Sequence, residues 1–143
     1  MRALTRSRVA VGVGAAVLTL GIAGGAIAAS TNNPKADIQS GNAFCGANDT
    51  SAAVLGFTNY HRSGDTVSVE YHLKSAIPDS TYYVQLWGDT CSFFGSVATI
   101  TTNDNGVANG NGDVAVPAGA TRFFATAFGP NGYNDTPAVT LTP

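Results

Sequence analysis

Thr66-Val67-Ser68-Val69-Glu70-Tyr71-His72-Leu73 alternates without a break. Val67, Val69, Tyr71 and Leu73 fall on one side and Thr66, Ser68, Glu70 and His72 on the other, the period of two that marks a strand with one face in a core. The pattern repeats downstream. Pro78-Asp79-Ser80 reads as a turn, since proline presets the first central dihedral and aspartate bonds its own backbone. Thr81 to Gly88 then sets Tyr82, Val84 and Leu86 against Tyr83, Gln85 and Trp87.

Outward from this pair the chain reads as further short strands. Upstream, Ala53 to Thr58 is apolar and ends at Asn59 and the turn-prone Arg62-Ser63-Gly64-Asp65. Downstream come Phe94 to Thr102, Asp113 to Val116 stopped by Pro117, Arg122 to Phe128, and Ala138 to Thr142, with Asn105-Gly106 as a hairpin signal. Within Arg122 to Phe128 the expected inward residues are Phe124 and Phe128, with small Ala125 and Ala127 on the more crowded row. Segment 29–42 is polar and aperiodic and is expected to be a flexible lead-in. No segment after residue 29 has helical periodicity. The spacing of about seven strands predicts an all-β, antiparallel two-sheet sandwich over 43–143.

Residues 1–28 carry a different signal. Arg2, Arg6 and Arg8 precede an uncharged run from Val9 to Ala29 that ends in Ala26-Ile27-Ala28, the layout of a secretory signal helix with a small-residue cleavage site. The run is also long enough to span a bilayer, so a retained membrane anchor is the alternative. Cleavage would leave four basic residues (Lys35, Arg62, Lys74, Arg122) against nine acidic ones. That balance disfavours a nucleic-acid partner, which needs clustered Lys and Arg. Cys45 and Cys91 are an even pair in a chain read as exported, and a disulfide between them is expected.

Val67-Ser68-Val69-Glu70-Tyr71, Pro78 to Trp87, Thr101 to Gly106 and Val116-Pro117-Ala118-Gly119 before an aromatic strand together resemble the immunoglobulin-like sandwich domains of exported bacterial, actinobacterial-type proteins. The resemblance implies a fold and no functional residues, because such sandwiches host many activities. It departs from antibody domains in its cysteines: Cys45 precedes the first clear strand and Cys91 follows the Trp87 strand.

No spacing points to catalysis, a cofactor or a metal. His61 falls in a turn and His72 on the polar side of a strand, and neither lies in an organising motif. Asp65 with Glu70, or Asp79 with Asp89, would need the fold to bring them together. Asn103 to Asp113 is rich in oxygen ligands but fails the EF-hand pattern, with Thr101 and Gly112 at the first and twelfth positions, and is expected to be a long hairpin loop. The suggestive feature is the row Tyr83, Gln85 and Trp87, which stands outside the core if Val84 and Leu86 point in; with the register reversed Trp87 is a core residue. The expected function is a secreted or cell-surface, non-catalytic module that binds a protein or glycan through that row, with Phe93 and Tyr133 as possible extensions. The alternative is a small secreted enzyme inhibitor presenting Gly129 to Thr136, and a third class is a hydrolase assembled only in the fold.

Overall fold

In the computed structural model, which describes residues 33–41, 45 and 52–143, nine strands follow one another: Lys35–Ser40 (β1), Val54–Ser63 (β2), Thr66–Leu73 (β3), Thr81–Gly88 (β4), Phe93–Thr101 (β5), Ala108–Ala115 (β6), Arg122–Gly129 (β7), Gly132–Asp135 (β8) and Val139–Thr140 (β9). The all-β, antiparallel reading holds. The leader and its cleavage site lie outside the described residues. Among the described residues no helix is long and apolar enough to cross a membrane.

The central alternation does what its period dictates. β2 and β3 pair from Gly56↔Leu73 to Ser63↔Thr66 across a two-residue turn, where Gly64 sits at φ +58, a left-handed value that suits the twist of a tight hairpin. Val67, Val69, Tyr71 and Leu73 are fully buried. β2 runs further than its apolar stretch suggests, because Tyr60 and Arg62 also turn inward.

The strands hydrogen-bond in the order β5-β4-β7-β8-β1-β2-β3-β6, with β9 beside β7. One sheet, nearly closed into a barrel, therefore stands where two separate sheets of about seven strands were expected. The joint is β1, inside the segment read as a flexible lead-in. Its Ala36 and Ile38 reach the core while the chain pairs with β2 on one side and, through Gln39↔Asp135 and Ser40↔Asn134, with β8 on the other. Two inward residues are too few to stand out as a pattern among polar neighbours.

The opposite closure is a seam between β5 and β6, and it corrects the reading of 103–113 as a loop. Ala108 to Ala115 pairs with β3 along its whole length. Gly110 and Gly112 belong to that strand because a side chain at either would collide with β5: Gly110 abuts Ile100 and Ala98, and Gly112 abuts the Val97 backbone. Only Asn103 to Val107 turns, with Gly106 at φ +73 and its N–H donating to the Asn103 carbonyl over 3.0 Å.

Three tyrosines fill the interior. Tyr60, Tyr71 and Tyr82 are fully buried, and each hydroxyl is used. Tyr60 meets Thr136 Oγ1 at 2.6 Å and accepts from the Ala125 N–H at 2.9 Å. Tyr71 donates to the Asn134 carbonyl at 2.9 Å, and Tyr82 accepts from the Ile77 N–H at 3.1 Å. Burial raises the pKa of Tyr60 and Tyr71, so both stay neutral hydrogen-bonding groups. These rings explain the register of β7. Phe123, Ala125 and Ala127 face inward, since opposite a tyrosine only alanine fits along most of the strand, and Phe124, Thr126 and Phe128 face outward. The expected inward placement of Phe124 and Phe128 is thus reversed.

Candidate functional site

β4 buries Tyr82, Val84 and Leu86 completely, so Tyr83, Gln85 and Trp87 stand on the outer face. Cross-strand pairing extends each into a row, because directly paired residues share a face. Tyr83 pairs with Phe128, which pairs with Tyr133. Gln85 lies between Ser96 and Thr126, and Thr126 pairs with Asp135. Trp87 lies between Phe93 and Phe124. Two aromatic rows thus flank a polar one.

The exposed rings are Tyr83 (52%), Phe93 (51%), Phe128 (46%) and Tyr133 (37%), with Gln85 and Trp87 half-buried. Phe128 and Tyr133 are tilted with centroids 5.2 Å apart, and Trp87 meets Phe93 edge-on at 5.0 Å. The Trp87 indole N–H donates to Gln85 Oε1 over 3.3 Å. Two bulges shape the β5 side. Opposite Val84/Gln85 and Leu86/Trp87 the register shifts, so that Val97 and Phe94 turn toward the core while Ser96 and Phe93 face out. The result is an open groove of about 410 Å³ over Tyr83, Gln85, Ser96, Thr99, Phe128 and Tyr133. Phe128 was missed from sequence through the reversed register; the polar Thr126 in its row was the available clue. Ser96 and Thr99 carried no signal, because the bulges break the alternation of β5.

At the far end of the polar row Asp135 is buried, and its Oδ1 has no hydrogen-bond partner among the described residues. Burial raises its carboxyl pKa from the ordinary 3.8 to about 6. The unfolded chain releases this proton first. Asp135 therefore leaves stability undiminished below about pH 4, erodes it between about 4 and 6, and imposes a constant cost above that. Asp135→Asn is expected to stabilise the protein at pH 7 by about 1–2 kcal/mol, after allowance for solvent screening, and to flatten that slope. Urea unfolding at pH 4 and pH 7 measures both effects; a variant with an unchanged slope contradicts the assignment.

The opposite face, on β2, β3 and β6, is polar. His61 Nδ1 meets Asn33 Oδ1 at 2.6 Å, and His72 Nδ1 meets Asn109 Oδ1 at 2.7 Å while its ring stacks on Phe57 at 4.6 Å. His61, Ser68 and Asp113 share a row, yet in the wrong order for a nucleophile: Ser68 donates to Asp113 Oδ1 at 2.6 Å, where a triad needs the imidazole between hydroxyl and carboxylate. Glu70 accepts from Asn59 Nδ2 at 3.1 Å, and Asp89 pairs with Arg122 at 3.1 Å. Neither acid meets the one suggested by sequence: Asp65 lies in the β2–β3 turn, and Asp79 and Asp89 lie beyond opposite ends of β4. Among the described residues no group of three His, Cys, Asp or Glu side chains is placed to hold a metal ion.

Gly129 to Thr136 is not a free loop. Residues 132–135 form β8, and Asn134, Asp135 and Thr136 are buried, leaving Pro130 and Asn131 at an exposed tip held by reciprocal Asn131–Asn134 amide bonds of 2.9 and 3.1 Å. Cys45 and Cys91 form the expected disulfide, with Cα atoms 5.6 Å apart, a bond consistent with an extracellular location. Compared with protein-family models and with curated proteins, the chain matches none.

Proposed function

We propose that this is an exported, non-catalytic binding module whose ligand lies across the outer face of β4, β7 and β8. One observation carries the reading: Tyr83, Phe128 and Tyr133 stand side by side and exposed. Surface rings are costly to leave in water, and a contiguous set beside hydrogen-bonding groups is the composition of a recognition surface. Export is supported by the leader sequence and by the disulfide. The immunoglobulin-like reading is supported by strand order. β5-β4-β7-β8 follows C′-C-F-G and β2-β3-β6 follows A-B-E, with β1 as an added strand that draws the two halves together.

The test compares retention on insoluble cell-envelope and extracellular material. The Tyr83→Ala/Phe128→Ala double variant is expected to lose at least ten-fold in retention, and His72→Ala, on the opposite face, to keep it. Equal loss in both, or loss only in His72→Ala, sinks the reading.

A further inference from the structure

We infer that the groove over Tyr83, Gln85 and Ser96 takes a neutral oligosaccharide whose pyranose rings stack on the row of aromatic side chains. The inference rests on the reading of this face as the ligand surface and narrows the ligand to a class.

Shape comes first. Tyr83, Phe128 and Tyr133 lie on three adjacent strands, so the row extends across two interstrand spacings, on the order of 10 Å. A groove of about 410 Å³ suits a small ligand or a short length of polymer. The groove also lies on a sheet face and not along a free strand edge, so an extended peptide has no ladder to join.

Charge comes second. Among the described residues no Lys, Arg, His, Asp or Glu lines the groove, and Arg122, beyond the Trp87 row, is already paired with Asp89 at 3.1 Å. Among the described residues an anionic polymer finds no cation at the groove and a basic one finds no carboxylate.

The hydrogen-bonding groups come third. Ser96, Thr99 and the Tyr83 phenol each donate and accept, as sugar hydroxyls do. Gln85, which lines the groove, takes the Trp87 indole N–H on its carbonyl oxygen, so its amide NH₂ is the group that can donate to a ligand. The rings supply flat apolar faces whose negative π-density attracts the polarised C–H bonds on one side of a pyranose. Saccharides combine an apolar C–H face with a rim of neutral hydroxyls, and this groove has the complementary layout.

The experiment is a calorimetric titration of the purified protein with neutral hexasaccharides (cellohexaose, xylohexaose, chitohexaose) and with an anionic control, hexagalacturonate. Binding of at least one neutral probe is expected, with little dependence on salt. It should weaken about ten-fold in Tyr83→Ala, stay within about three-fold in Tyr83→Phe, which keeps the ring, and be unchanged in His72→Ala. Salt-dependent binding of hexagalacturonate alone, lost in Tyr83→Ala, overturns the neutral class and leaves the face as the ligand surface. No binding of any saccharide at millimolar concentration, together with Tyr83-dependent retention on proteinaceous material, overturns the glycan inference in the same way. Saccharide binding that Tyr83→Ala does not weaken overturns the inference and the placement of the site together.

Discussion

Replacing Arg62 with alanine is expected to lower the stability of the fold by about 3 kcal/mol, roughly 10–15 °C in Tm for a domain of this size. Arg62 is 3% exposed at one end of the barrel. Its Nε donates to the Gly64 carbonyl at 2.8 Å, and its Nη1 donates to the carbonyls of Ala120 and Leu141. One side chain thereby fastens the β2–β3 turn, the approach to β7 and the C-terminal segment, while its guanidinium carbon lies 5.5 Å from the Phe123 ring centroid. A charge-assisted hydrogen bond contributes more than a neutral one, and three carbonyls lose their donor at once. Against this, the alanine variant no longer carries a buried cation whose Nη2 has no partner among the described residues, which offsets part of the loss and keeps the figure near 3 kcal/mol. Arg62→Lys is expected to recover little, because a single ammonium cannot span three acceptors in a planar fork. Urea unfolding gives the magnitude. Hydrogen exchange gives the place: the Leu141 N–H, bonded to the Thr121 carbonyl at 2.8 Å, should lose protection first. A variant within 0.5 kcal/mol of the parent, a range typical of surface substitutions, would show that Arg62 does not hold the barrel end.

Removing the disulfide is expected to have an effect of similar size, about 4 kcal/mol on the chain-entropy model for a cross-link spanning 46 residues. The bond joins the segment between β1 and β2 to the turn between β4 and β5. Cys91 is already placed by local bonds, its N–H donating to the Gly88 carbonyl at 3.0 Å and the Gly88 N–H donating to the Ser92 carbonyl at 2.8 Å. The cross-link therefore acts mainly on the unfolded chain, where it removes a large share of loop entropy. The Cys45→Ser/Cys91→Ser double variant and the reduced parent should unfold at the same lower urea concentration, with a native spectrum unchanged before the transition. If stability is indifferent to reductant, the cross-link does not constrain the unfolded chain as described.

The sequence was most legible where one face is buried and the other wet. Thr66 to Leu73 and Thr81 to Gly88 alternate strictly, and the structure follows them residue by residue. Legibility failed where burial depended on distant partners. Lys35 to Ser40 is polar and becomes a strand because two edges need joining. Ala108 to Ala115 has the composition of a turn and becomes a strand because β5 passes too close for side chains. In Phe123 to Phe128 both registers look apolar, and three tyrosines from β2, β3 and β4 decide between them. The same rule applies to the candidate site. Tyr83, Gln85 and Trp87 could be read from β4 alone, whereas Phe128 joins them only through a register set elsewhere in the barrel.

Hydroxyl-radical footprinting read by mass spectrometry tests the open aromatic face without any ligand. Rapid oxidation is expected at Tyr83, Phe93, Phe128 and Tyr133, against protection at Tyr60, Tyr71, Tyr82 and Phe123. Protection of Tyr83 and Phe128 in the free protein, at the level of the three interior tyrosines, would mean that the face is covered and would contradict its assignment as a ligand surface.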